Sequence, residues 1–209
     1  MINDSIKVSK YAGFYRTPLG KSIVKEEAKI VTEAFAGCSV ILSVGCGTGK
    51  IESLIRDALS GTLVICLDQS REMLAHVAEP GYIVLGDATE LPVADEAIDA
   101  ILFLTSLEFI DDCSTAVDEA ARVLGKGGRA LFVLLNFDSG YFKKKMLEED
   151  SYIRRNIITT SRSTLDTYIS KRFEVEWISY ALEISDGLVN PTNDPAKASI
   201  RLIYTKKLT

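Results

Sequence analysis

Apolar residues along this chain alternate between short unbroken runs and longer stretches with helical spacing. Unbroken runs mark strands covered on both faces, as in a parallel sheet, whereas recurrence at three- and four-residue intervals marks a helix with one buried stripe. Gly20 to Phe35 has the helical pattern, at Ile23, Val24, Ala28, Val31 and Phe35. Ile41 to Val44 then predicts a first strand, and Ile51, Leu54, Ile55, Ala58 and Leu59 predict a helix that Gly61 ends. Thr62 to Leu67 reads as a second strand, Ser70 as the cap of a helix through about Ala78, Pro80-Gly81 as its break, and Tyr82 to Leu85 as a third strand. Ile98 to Leu104 predicts strand four, Cys113 to Leu124 a helix, and Gly127-Gly128 the turn into strand five, Arg129 to Asn136. Strand and helix in this rhythm imply right-handed crossovers and an open parallel sheet.

The C-terminal third breaks the rhythm. Tyr141 to about Arg155 is charged and helical in pattern, and Ser161 or Ser163 starts a short helix through Ser170. Phe173 to Ile184 and Ser199 to Lys206 are strand-like with no room for a crossover helix between them, so they are expected to pair antiparallel. Asp186 to Ala196, with Gly187, Pro191, Asn193 and Pro195, reads as a loop long enough to wall an active site.

Length and charge narrow the classes. With 209 residues, 47% apolar and 25% charged, the chain suits one globular domain, 1–209. A net charge of −5 argues against broad nucleic-acid binding, which needs a basic surface. No apolar run is long enough to span a bilayer and the N-terminus lacks a signal peptide's apolar core, so a cytoplasmic protein without stable membrane insertion is expected. Cys38, Cys46, Cys66 and Cys113 are scattered singly with only His76 to complement them, so no metal site is expected. Oligomeric state is not written in these features.

The chemistry begins at Val44-Gly-Cys-Gly-Thr-Gly49, where a β-branched run stops in three alternate glycines. Gly45 and Gly47 leave no Cβ where the backbone must bend and approach a ligand, and Gly49 lets the next helix pack close. The spacing is Gly-x-Gly-x-Gly, with Lys50 where a dinucleotide fingerprint wants a third small residue, which shifts the reading from a pyrophosphate to a nucleoside ligand. Asp68, at the carboxyl end of strand two, stands where an acidic residue takes ribose hydroxyls.

Four features in order resemble the class I S-adenosylmethionine-dependent methyltransferases, and most the small-molecule group related to the quinone-biosynthesis C-methyltransferases. They are the glycine turn; Asp68; Gly86-Asp87-Ala88 followed by Leu91-Pro92; and Ile98-Asp99-Ala100-Ile101 with Ala121 to Arg129 after it. Tyr15 to Gly20 also looks like that group's first helix region. The resemblance implies an α/β fold, a Rossmann-like doubly wound seven-stranded sheet, mostly parallel with an antiparallel last strand. It implies S-adenosylmethionine as cofactor, S-adenosylhomocysteine as product and a small-molecule acceptor. Gly45, Cys46 and Gly47 would lie along the methionine, Asp68 would take the ribose, and Asp87 and Ala88 the adenine. Tyr11, Gln69, Met73, Gly86, Leu104 and Thr105 would complete the contact. Asp99 is structural. Ser43 departs from the family, where many members carry an acid; a hydroxyl forgoes the strength of a charge-assisted bond to the methionine ammonium.

Methyl transfer is an in-line displacement, so the protein mainly supplies alignment, and a base is needed only if the nucleophile arrives protonated. The family often has a histidine after the Leu-Glu that follows strand four, but here Leu107-Glu108 is followed by Phe109. Tyr15 and Glu108 are therefore the catalytic candidates, and His76 reads as an ordinary helix histidine. Residues 1–36 are expected to form a cap segment and its following helix, and 138–170 a variable insert near the acceptor pocket. Lys143 to Lys145 and Arg154-Arg155 read as a solvated face. Two alternatives remain: a non-catalytic S-adenosylmethionine-binding module, and a nicotinamide-dependent oxidoreductase, the latter disfavoured by the glycine spacing.

Overall fold

The computed structural model describes residues 4–78 and 82–208. Helices α1 (Asp4–Phe14) and α2 (Pro18–Ala34) precede β1 (Val40–Val44), and α3 (Lys50–Ala58) leads to β2 (Leu63–Asp68). A single turn, α4 (Arg71–Leu74), precedes β3 (Tyr82–Leu85) and β4 (Ile98–Leu104); α5 (Cys113–Val123) runs straight into β5 (Leu124–Leu135). Three helices follow, α6 (Gly140–Leu147), α7 (Tyr152–Asn156) and α8 (Arg162–Arg172), then β6 (Phe173–Ala181), β7 (Glu183–Ser185), β8 (Leu188–Asn190) and β9 (Ile200–Lys207).

Seven strands form one sheet in the order β3-β2-β1-β4-β5-β9-β6. β1 to β5 are parallel, and β9 runs antiparallel between β5 and β6. Side-chain alternation divides the core. Ile101 and Phe103 of β4, with Phe132 of β5, pack against Ala116, Val117 and Ala120 of α5 and Leu165 and Ile169 of α8. Ala100 and Leu102 pack on the opposite face with Val24, Ala28 and Val31 of α2 and Ile51 and Ile55 of α3. Each fully buried Val, Leu, Ile or Phe among them contributes about 1.5–3 kcal/mol. No helix among the described residues is long and apolar enough to cross a membrane.

Strands two to four lie where the apolar runs place them; several other boundaries move. The helix expected through Ala78 stops after Leu74: Met73 and Leu74 are buried but Glu72, Ala75 and His76 are exposed, so no apolar stripe sustains it. Its expected break at Pro80-Gly81 lies outside the described residues. Strand five begins at Leu124 rather than Arg129, because Leu124 pairs with Ile98 before the register jumps to Ala100 and Arg129 and the intervening glycines bulge out. The helix expected over Tyr141 to Arg155 is two, since Ser151 caps α7 by accepting from Arg154 N–H. Ser161, not Ser163, caps α8. The run Phe173 to Ile184 breaks at Leu182, a buried residue with φ 63°. The loop expected over Asp186 to Ala196 begins as a hairpin whose Asp186 and Gly187, both with positive φ, turn β7 into β8.

Arg122, in the segment after strand four, clamps the stretch that follows β3. Its guanidinium reaches Glu119, Asp95 and the carbonyls of Val93 and Leu91 at 2.6–2.9 Å. Arg122→Ala is expected to lower stability by about 2 kcal/mol, because two carbonyls and two carboxylates lose a shared donor. Urea unfolding with an unchanged m-value and a lower midpoint would show this; an unchanged midpoint would mean that water replaces the clamp.

Candidate active site

The carboxyl ends of β1, β2, β3 and β4 converge where the strand order reverses between β1 and β4, the position at which open α/β sheets bind ligands. A cavity of about 390 Å³ lies there. Its floor is the glycine turn: Gly45, Gly47 and Gly49 have φ of 74°, 57° and 63°. A Cβ on Gly45 would sit 2.6 Å from Ser106 Cβ and one on Gly47 3.4 Å from the Tyr11 ring, so any side chain here would fill the cradle or strain the turn.

Asp68 ends β2 and holds the turn in place. One carboxylate oxygen accepts from Gly47 N–H at 2.8 Å and the other from Ser70 N–H at 2.9 Å. Each oxygen keeps a lone pair for a ligand hydroxyl. After β3, Asp87 accepts from the Thr89 backbone N–H and hydroxyl, both at 2.8 Å, and these bonds hold its carboxyl below the usual range. That Asx turn fixes one oxygen of a residue that lines the cavity. Thr105, just past β4, has φ 45°, a strained conformation kept by its N–H bond to Val133 O at 2.7 Å.

The residues expected to contact the cofactor converge here: Tyr11, Gly45, Gly47, Asp68, Gln69, Met73, Gly86, Asp87, Ala88, Leu104 and Thr105 all line the cavity. Cys46 does not; its thiol donates to Gly47 O at 3.8 Å, and the neighbouring Cys66 thiol together with burial pushes it up, away from reactivity. Tyr15 does not line the cavity either, and reaches it only through the 2.9 Å bond between its hydroxyl and that of Tyr11. Burial raises both phenols, so at neutral pH they are hydrogen-bond donors and not bases. Glu108 points away from the cavity. It is fully buried, one oxygen accepts from Leu135 N–H, the other has no partner, and burial pushes the carboxyl up to about 7. Its backbone carbonyl accepts from Ile158 and Thr159, tying the 138–170 insert to the loop after β4.

Sequence reasoning missed Tyr152, which lines the cavity from that insert and packs 5.4 Å from Tyr11 and 5.8 Å from Phe109. Nothing local marked it. It also missed two buried acids. Glu52 of α3 is 1% exposed and accepts from Ser43 Oγ at 2.6 Å, and Glu27 of α2 is 6% exposed. Both had a readable signal, being carboxylates inside apolar stripes. A second cavity of about 430 Å³ is lined by Phe14, Tyr141, Lys144, Lys145 and the β7–β8 turn. The segment expected to wall the active site therefore borders this cavity and not the one at the glycine turn.

Residues 42–132 match the methyltransferase domain family. A malonyl-[acyl-carrier protein] O-methyltransferase of Xylella fastidiosa is 35% identical over 106 residues, 48% of this chain and 36% of that protein. An uncharacterized methyltransferase of Mycobacterium tuberculosis is 30% identical over 147 residues, 67% of this chain and 58% of that protein. The chain thus spans only part of the length of the curated relatives it matches. Among solved structures, an S-adenosylmethionine-dependent methyltransferase of Thermotoga maritima superposes with a TM-score of 0.82 at 20% identity, covering 98% of this chain and 97% of that one. Another, from Archaeoglobus fulgidus, gives 0.76 at 17% identity over 94% and 99%.

Residues 42–132 thus match a methyltransferase domain, and the fold is the one that solved S-adenosylmethionine-dependent methyltransferases share. The glycine cradle and the carboxylates of Asp68 and Asp87 are chemically suited to the methionine, ribose and adenine of S-adenosylmethionine in turn.

Proposed function

We propose that this chain transfers the methyl group of S-adenosylmethionine to a small-molecule acceptor. The carrying observation is the cavity at the strand ends, floored by the glycine turn and walled on its outer side by Tyr11, Phe109 and Tyr152. When bound, the cofactor supplies an electron-poor methyl carbon. The chain's residues then have alignment as their task. Gly45 and Gly47 bed the methionine end, Asp68 takes the ribose hydroxyls, and Asp87 with the Ala88 amide takes the adenine edge. Gln69, Met73, Gly86, Leu104 and Thr105 close the wall. Tyr11, positioned by Tyr15, and Tyr152 present aromatic faces to a cationic centre, which suits a sulfonium. Glu108 positions the loop after β4 against the insert, and the insert with the N-terminal helices shapes the acceptor side, all within a single domain.

Calorimetry tests the first half of this reading. S-adenosylmethionine and S-adenosylhomocysteine are expected to bind with micromolar affinity and NAD not at all, after which a screen of small nucleophiles with the labelled cofactor seeks the acceptor. Binding of NAD instead would overturn the reading. Tight cofactor binding with no turnover of any acceptor would favour a binding module without catalysis.

A further inference from the structure

The charged side chains of this molecule sort themselves between its two cavities. Every charged residue lining the cavity at the glycine turn is acidic: Asp68, Asp87, Asp111 and Asp112 line it, and among the described residues no Lys, Arg or His does. Lys144, Lys145 and Lys197 border the second cavity instead. Arg154 and Arg155, which follow Tyr152 on α7, turn back to the carbonyls of Leu147 and Glu149 and to Asp150. With Asp68 and Asp87 assigned to the cofactor, Phe109, Asp111 and Asp112 of the loop after β4 and Tyr152 of α7 remain for the acceptor. Both of these acids are exposed. The Thr115 backbone N–H and hydroxyl donate to Asp112 at 3.0 and 2.7 Å, and these bonds hold its carboxyl below the usual range. Tyr152 sits between two other rings, 5.4 Å from Tyr11 and 5.8 Å from Phe109, at tilts of 49° and 47°. Aromatic faces carry negative potential, so the rings and the carboxylates present one sign of charge to an occupant of the cavity.

We infer that the methyl acceptor is a small organic amine, recognised by the rings of Phe109 and Tyr152 and by the carboxylates of Asp111 and Asp112. This deepens the methyltransferase reading above and rests on it. Methylation of an amine moves positive charge from one atom to another. The nitrogen lone pair forms a bond to the methyl carbon, the carbon–sulfur bond breaks, and its electron pair stays on sulfur as the thioether of S-adenosylhomocysteine. A neutral amine becomes a methylated ammonium, which gives up its surplus proton to water. An amine that arrives protonated releases that proton to water beforehand, because the Tyr11 phenol is itself protonated and Glu108 faces Leu135 N–H. Surroundings that favour a cation at sulfur before the step and at nitrogen after it suit the whole course of the reaction. A carboxylate acceptor would instead meet like charges with no lining cation to pair with, an arrangement that excludes it.

The test titrates protein saturated with S-adenosylhomocysteine, so that no sulfonium charge competes, with pairs that share ring and chain but differ in sign. These are 2-phenylethylamine against 3-phenylpropanoate, and tryptamine against indole-3-propanoate. The amines are expected to bind about tenfold tighter than their partners, the combined effect of one cation–π contact and two exposed charge pairs. Asp111→Asn together with Asp112→Asn is expected to reduce that ratio to about twofold and leave S-adenosylhomocysteine affinity within about twofold. Asparagine still caps α5, so the change removes charge alone. Tyr152→Ala is expected to cost about fivefold in amine affinity, and Tyr152→Phe, which keeps the ring, to cost little. With the labelled cofactor, the methyl group is expected on the nitrogen of the amines and on neither carboxylate. Carboxylates that bind as tightly as amines, a preference untouched by the double variant, binding of neither set, or label on a carboxylate oxygen would each overturn the inference. The cofactor reading would survive those results, because S-adenosylhomocysteine binding is measured first. Protein that does not bind S-adenosylhomocysteine sinks both.

Discussion

Asp68→Ala is expected to lower affinity for S-adenosylhomocysteine about 100-fold. Two losses combine. A carboxylate at the end of β2 can accept from both ribose hydroxyls, and charge-assisted bonds of that kind contribute about 1.5–3 kcal/mol each, net of the water they replace. The same side chain ties Gly47 N–H and Ser70 N–H together, so its removal also loosens the turn that the methionine lies on and the cap that starts α4. About 3 kcal/mol of lost binding corresponds to the 100-fold expected. Asp68→Asn separates the contributions: the amide keeps one acceptor oxygen for a backbone N–H but forfeits the charge, so its affinity should fall between the two. Calorimetric titration of the three proteins is the measurement. An alanine variant that binds within threefold of wild type would show that the ribose is held elsewhere.

That Asp68 could be singled out from sequence at all reflects how local this part of the molecule is. Parallel strands buried on both faces read as uninterrupted apolar runs, and β2 and β4 begin and end within a residue of those runs; β3 keeps such a run although it lies exposed at the sheet edge. The ligand-facing residues of such a sheet sit at the strand ends, so the glycine turn, Asp68 and Gly86-Asp87-Ala88 are each one step beyond a recognisable strand. What could not be read depends on contacts between distant segments. Leu124 joins β5 because Ile98 lies opposite it, not because of its neighbours. Tyr152 enters the cavity because the Glu108 carbonyl holds Ile158 and Thr159 across from the loop after β4. Glu108 itself has a sequence position that suggests chemistry, yet its side chain turns inward to Leu135 N–H. Glu27 and Glu52 were legible only as anomalies. Each interrupts an apolar stripe, Glu27 between Val24 and Ala28 and Glu52 beside Ile51, and their convergence with Ser43, Tyr11 and Tyr15 is a tertiary fact.

Glu27 should also make the stability of the empty protein depend on pH in an unusual direction. Burial first, and the charge of Glu52 second, push its carboxyl up to about 8 from the ordinary 4.5. Below pH 4.5 the folded and unfolded chains both hold the proton and Glu27 costs nothing. Between the two values the unfolded chain releases the proton while the folded one keeps it, so stability falls as pH rises and levels off above about 8. Glu27→Gln cannot ionise and keeps the shape and donors of the protonated acid. Its stability should therefore match wild type near pH 4 and exceed it above pH 8 by on the order of 4 kcal/mol. Denaturant unfolding of the two proteins at pH 4, 6 and 9 isolates this group, because the carboxylates held low by surface partners, such as Asp118 beside Arg172, are common to both. Parallel stability curves would mean that Glu27 is already charged and compensated in the native protein.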